Sequence, residues 1–158
     1  MGSTGTDYLI ELLERKNLCF RSFHKLCESF LDEIAIGTVE NLESFQKKRQ
    51  GLINVLEQLE FEVTHWLDSY KSAPDALDGI MTDKIKNRVD QLLKDKDLAV
   101  RSIIDLDLQI LGHIDRIKDE TIQKLQSVQS GRRTVSAYRS PQDSVEAAES
   151  KKSLDQEA

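Results

Sequence analysis

The chain has 158 residues, 39% of them hydrophobic and 32% charged, with a formal net charge of -6. That charge disfavours nucleic acid and anionic lipid as partners outside a local basic patch, and no apolar run approaches the roughly 18 to 20 residues of a membrane span. Two prolines and seven glycines leave few helix breakers, so the composition points to long helices with narrow buried seams.

Residues 1–6 read as a flexible leader. They lack the cationic segment and apolar core of a secretory signal and match an N-myristoylation pattern only loosely, through Gly2 and Thr6. A first helix is expected from about Asp7 to Ile36. Leu9, Leu12, Cys19, Phe23, Leu26, Phe30 and Ile34 recur at mostly three- and four-residue steps and share one face. Lys16 interrupts this seam, with its stem expected along the apolar face and its amine in water. Cys19 and Cys27 stand eight apart, about 12 Å of helical rise, too far for a disulfide. Reduced thiols suit a cytoplasmic protein. Gly37 suits the left-handed turn past a helix end, and Thr38 is the expected N-cap of the next helix.

That second helix, about Thr38 to Tyr70, carries the clearest pattern. Leu42, Phe45, Arg49, Leu52, Leu56, Leu59, Val63, Trp66 and Tyr70 alternate steps of three and four, a heptad seam in which Arg49 is the one charged member. With only a single turn between them, the first two helices are expected to fold back as an antiparallel hairpin. Residues 71–81, with Pro74 and Asp78-Gly79, read as a loop holding one short turn. A third helix follows from about Asp83 to Ser130, capped by Thr82 or Asp83. Two apolar rows run along it. Ile85, Val89, Leu92, Ala99, Ile103, Leu106, Ile110, Ile114, Ile117, Leu125 and Val128 form one; Leu93, Val100, Ile104, Leu108 and Leu111 form the other. Lys94 to Asp97 is a solvated interruption, and Gly131 is expected to end or loosen the helix. The fold class is therefore all-α: an antiparallel hairpin plus a long third helix in an elongated, coiled-coil-like bundle over residues 7–139. Residues 140–158 are too polar to order themselves and read as a disordered tail.

Catalytic chemistry finds no foothold in this pattern. Glu62 and His65 have the Glu-x-x-His spacing of di-iron bundles, but that metal needs the pair twice and two more glutamates. His24 and Cys27 offer two ligands where zinc takes three or four. Gly37, Gly51, Gly79 and Gly112 stand alone, so no phosphate loop forms. Trp66 and Tyr70 close the second seam and read as core. No catalytic residue, metal or cofactor is assigned. Arg132, Arg133 and Arg139 complement a helix C-terminus. Tyr138, among them, is either a staple back onto the helices or an exposed docking side chain.

Between Val100 and Ile117 the apolar stripe is wider than a two-helix seam requires, and the band from Val100 to Val128 is the expected binding surface, since an uncovered apolar band on a helix marks an interface. Its candidate binding residues are Val100, Ile103, Ile104, Leu106, Ile110, Leu111, Ile114, Ile117, Leu125 and Val128. Paired substitution of Ile103 and Ile110 by aspartate is expected to abolish partner binding with helicity largely retained. A self-associating structural coiled coil, whose stripe is filled by a homodimer, is the competing reading.

Three features together resemble the FlgN/FliT type of flagellar export chaperone. They are the long first helix, the turn Gly37-Thr38 before Leu42, and the series Leu42, Phe45, Arg49, Leu52-Ile53, followed by Leu125-Gln126, Gly131-Arg132-Arg133 and Ala137-Tyr138. The resemblance covers most of residues 9–138. It implies a cytoplasmic helical protein that holds the amphipathic terminal segment of a hook-filament junction or filament-cap protein and delivers it to the type III export gate. Tyr138 is the position matching the family's gate-docking tyrosine. A stalk component associated with the export ATPase is a further alternative. The polar tail is longer than the family leads one to expect.

Overall fold

The computed structural model describes residues 4–138, with side chains from residue 5 to 134. Four helices make up its regular structure: α1 (Thr4–Ala35), α2 (Leu42–Asp68), α3 (Pro74–Ile80) and α4 (Asp83–Tyr138). The chain divides into two compact units, Met1–Asp115 and Arg116–Ala158, and α4 contributes to both. The all-α expectation holds throughout the described residues.

In the first unit α2 runs antiparallel to α1. Lys16 pairs with Glu60, Cys19 Sγ approaches the Leu52 carbonyl at 3.6 Å, and the rings of Phe30 and Phe45 stack 4.1 Å apart. By contrast α4 ascends parallel to α1. Glu14 meets Arg88 at 2.9 Å, the Asn17 amide donates to the Leu92 carbonyl at 3.0 Å, and His24 meets Ser102 at 2.8 Å. The result is an up-down-up bundle whose core starts from Leu9, Leu12, Leu13, Leu59, Val63, Trp66 and Leu92. Tyr70, Leu77, Ile80 and Val89 pack on its edge. Further along, Phe23, Cys27, Phe30, Ile34, Phe45, Ile103 and Ile110 continue it. Of the α2 heptad, Phe45, Leu59, Val63 and Trp66 are buried, while Leu42, Arg49, Leu52, Leu56 and Tyr70 are half-buried.

Several boundaries moved for identifiable reasons. Helix α1 begins at Thr4, inside the expected leader, because Thr6 is buried and Gly5 lies close against Trp66 and Tyr70; a Cβ at Gly5 would stand 3.1 Å from the Tyr70 hydroxyl. Gly37 has φ 91°, the left-handed turn expected of it, and its N–H donates to the Ile34 carbonyl at 2.9 Å. Helix α2 then starts three residues later than the Thr38 cap implies. Its N-cap is Asn41, which makes no side-chain cap bond; its amide N–H donates instead to Glu33 at 3.1 Å. Pro74 opens α3 at its first turn, where its missing N–H costs nothing.

Helix α4 continues through the Lys94 to Asp97 interruption and through Gly131 to Tyr138. A lone glycine costs a helix about 1 kcal/mol against alanine; it does not stop one unless the chain also turns left-handed. The side chain of Tyr138 and the whole 140–158 tail lie outside the described residues, as does Gly2.

Lys16 is also placed differently from its snorkelling expectation. It is buried, with its amine at Glu60 instead of in bulk water. Cys19 and Cys27 are both free and buried. No helix among the described residues is long and apolar enough to cross a membrane.

Candidate functional site

Within the first unit α4 presents three faces. One is core: Leu92, Ile103 and Ile110. A second lies toward α1, where Arg88 and Ser102 bond Glu14 and His24; Leu106, four residues after Ser102, shares this flank. The third bears Ile104, Leu108 and Leu111, spaced i, i+4, i+7 and 54%, 63% and 55% exposed. Leu93 and Val100 extend this row by helical spacing, Leu93 exposed and Val100 half-buried.

Beside the row a groove of about 430 Å³ opens between α2 and α4. Its walls are Leu42, Phe45, Gln46, Arg49 and Gln50 on one side and Asp107, Ile110, Leu111 and Ile114 on the other. Leu111 belongs to both row and groove, so the two make one continuous surface with an apolar floor and amide groups along one rim.

The ten residues assigned to partner binding therefore separate. Ile104 and Leu111 are available on the exposed row, Val100 is half-covered at its start, and Ile114 lines the groove. Ile103 and Ile110 are 7% and 3% exposed and hold the bundle together, which corrects their placement at the centre of a binding surface. Leu106 is half-buried and falls off the exposed row by helical spacing, on the side of Ser102. In the second unit Ile117 is half-buried, while Ile122, Leu125 and Val128 are exposed on α4. Leu108, the most exposed of the α4 row, was seen in the second apolar row but not singled out.

The groove's polar end is fixed by an ion pair. Arg49 donates to Asp107 through Nη1 at 2.6 Å and Nη2 at 2.9 Å, a bidentate fork, and its guanidinium carbon lies 5.2 Å from the Phe23 ring centroid. The hydrogen bonds to Asp107 raise the Arg49 pKa further. Arg49 thus sets the register of α2 against α4, the use expected of a polar heptad member. Removing Asp107 alone strands a half-buried cation. Asp107→Ala is expected to cost about 2 kcal/mol, whereas Arg49→Met combined with Asp107→Leu costs much less. Urea unfolding of both singles and the double in one thermodynamic cycle measures this; strict additivity contradicts the pairing.

Cys27 donates its thiol to Asp107 at 3.7 Å. Burial, then the Asp107 charge, pushes its pKa up to about 11. The folded state therefore holds this proton after the unfolded chain has lost it. The associated stability is complete below about pH 9 and falls as pH rises toward 11. Cys27→Ala is expected to flatten that part of the stability profile, read by thermal midpoints from pH 8 to 11.

The His24–Cys27 pair does not converge on a common point, since His24 turns to Ser102 and Glu28 and Cys27 to Asp107. Glu62 accepts from the Tyr8 hydroxyl at 3.3 Å and the Gln58 amide at 3.4 Å. Among the described residues no cluster of His, Cys, Asp or Glu could hold a metal ion. Trp66 is buried, with Tyr70 tilted against it at 4.8 Å.

In the comparisons with known proteins, no family model matches this chain, and neither a curated protein nor a solved structure does.

Proposed function

We propose that the protein is a non-catalytic binding module that shields an amphipathic helical segment of a partner protein. The observation that carries this reading is the uncovered row Ile104, Leu108 and Leu111 beside the α2–α4 groove. A row of i, i+4, i+7 side chains over two turns is the complement of one apolar helix face. Each of the three gains roughly 1 kcal/mol on losing its remaining exposure, enough for moderate and reversible affinity once the ordering of the partner is subtracted.

The resemblance to FlgN/FliT-type chaperones supports a narrower form of the proposal. The partner is then the terminal segment of a hook-filament junction or filament-cap protein, held in the cytoplasm until delivery to the type III export gate, with Tyr138 docking on the gate. Affinity capture with the tagged full chain from its own cells, read by mass spectrometry, tests both levels. Recovery of one flagellar filament-associated protein, lost when that protein's terminal helix is deleted, supports the narrow form. Recovery of the bait alone, with light scattering giving a dimer, replaces it with self-association.

A further inference from the structure

Of the chain's five phenylalanines, Phe23, Phe30 and Phe45 are buried and Phe20 is half-buried, but Phe61 is 65% exposed. It lies two residues from the core position Leu59, about 200° round the helix, so nothing in the bundle's packing requires a phenylalanine there. Its ring is parallel to that of His65, with centroids 6.2 Å apart. With Tyr8, Glu62, Trp66 and Ser69 these two residues line a pocket of about 240 Å³ at the α1–α2 seam. This lies toward the C-terminal end of α2, away from the groove at Leu42 and Phe45.

The chemistry of the pocket is one-sided. Four of its six lining residues are aromatic rings, His65 included, and Glu62 is the one carboxylate among them. Aromatic faces carry negative potential. Among the described residues each Glu62 oxygen receives one long hydrogen bond, Oε2 from Tyr8 and Oε1 from Gln58, and a carboxylate has about four acceptor sites. Tyr8 senses the same field: desolvation and then the Glu62 charge raise its pKa. Arg15, whose charge reaches Tyr8, is paired with Glu11 at 2.7 Å.

We infer that this pocket receives the side chain of an arginine presented by a protein partner, its guanidinium stacked on Phe61 or His65 and forked onto Glu62. Arginine fits where lysine does not, because a planar guanidinium lies flat on a ring while its edge pairs a carboxylate, and an ammonium is a strongly hydrated point charge. The inference stands apart from the binding module proposed above, since it uses neither α4 nor the groove.

The test is an NMR titration of the full chain with the capped tripeptide Gly-Arg-Gly, following the Phe61 and His65 rings and the Trp66 indole. The citrulline tripeptide, its neutral isostere, and the lysine tripeptide serve as comparisons. Saturable shifts confined to these residues are expected for arginine alone. Glu62→Gln is expected to weaken binding about tenfold, the loss of a hydrogen-bonded charge, and Phe61→Ala about threefold to fivefold, the loss of a surface cation–π contact. Phe61 is exposed and Glu62→Gln is isosteric, so both variants are expected to keep the parent's thermal midpoint. Equal affinity for citrulline, or unchanged affinity in Glu62→Gln, overturns the inference. A lysine tripeptide that binds as well as arginine overturns the choice of guanidinium.

Discussion

Ile110→Asp is expected to unfold the first unit. Ile110 is 3% exposed and sits at the floor between Phe45 and Leu111, so an aspartate there must either bury a carboxylate without a cation or open the bundle. Lost apolar burial and an unpaired charge together cost at least about 4 to 5 kcal/mol, against a total stability on the order of 5 to 15 kcal/mol for a domain. Ile103→Asp acts in the same direction from one helical heptad away. Far-UV circular dichroism and urea unfolding measure the loss. A folded Ile110→Asp variant with the parent's midpoint would return this residue to the surface and restore its role as a direct partner contact.

Leu108→Asp combined with Leu111→Asp is expected to do the converse: it leaves the bundle folded and removes partner capture. Both side chains are more than half exposed, so the folding cost is confined to helix propensity, a few tenths of a kcal/mol each. On the binding side, two leucines no longer enter the interface and two carboxylates must be dehydrated. The sum exceeds about 3 kcal/mol, at least a hundredfold in Kd. Isothermal titration with the captured partner's terminal peptide reads the loss. Parent-like affinity in this folded double variant removes the α4 row from the proposal and leaves the unit's other grooves to be searched.

The contrast between these two variants shows where sequence reading succeeded and where it stopped. Spacing grouped Phe45, Leu59, Val63 and Trp66 correctly, because a heptad seam facing a hairpin partner has only one apolar side to bury. On α4 there were two apolar rows, and spacing alone assigns residues to a row without saying which row the rest of the chain will cover. The bundle covered Ile103 and Ile110 and left Ile104, Leu108 and Leu111 exposed, so the uncovered apolar row lies about one residue round the helix from the pair that the spacing singled out.

Arg49 was recognisable as the odd member of its heptad. Its partner Asp107 was not, since 58 residues separate them and several acids on α4 were equivalent by composition. The start of α2 at Leu42 was missed because Thr38 has the chemistry of a cap but not the position, and α1 reached back to Thr4 because tertiary packing against Trp66 and Tyr70 outweighed a glycine in the first turn. Glu62 and His65 drew notice for a metal spacing they do not fulfil. His65 stands one turn from exposed Phe61 on the same helix, but the pocket they line with Glu62 also needs Tyr8 from α1, which no local pattern records.

Residues 118–134 of α4 are helical with every side chain exposed. A stretch of that length gains nothing from tertiary burial, so its helix persists on local terms alone. Those include the Arg116–Glu120 pair, worth no more than a fraction of a kcal/mol, while the Thr121 and Thr134 hydroxyls bonded back to the carbonyls of Ile117 and Ser130 slightly oppose it. Such a helix exists as a fraction of the population, and a ligand that grips Ile122, Leu125 and Val128 in register has its apparent dissociation constant divided by that fraction. Affinity there becomes adjustable from positions no ligand touches. Gly131, fully helical and solvent-facing, is one such position: its substitution by alanine raises the helical fraction and tightens binding without adding a single contact.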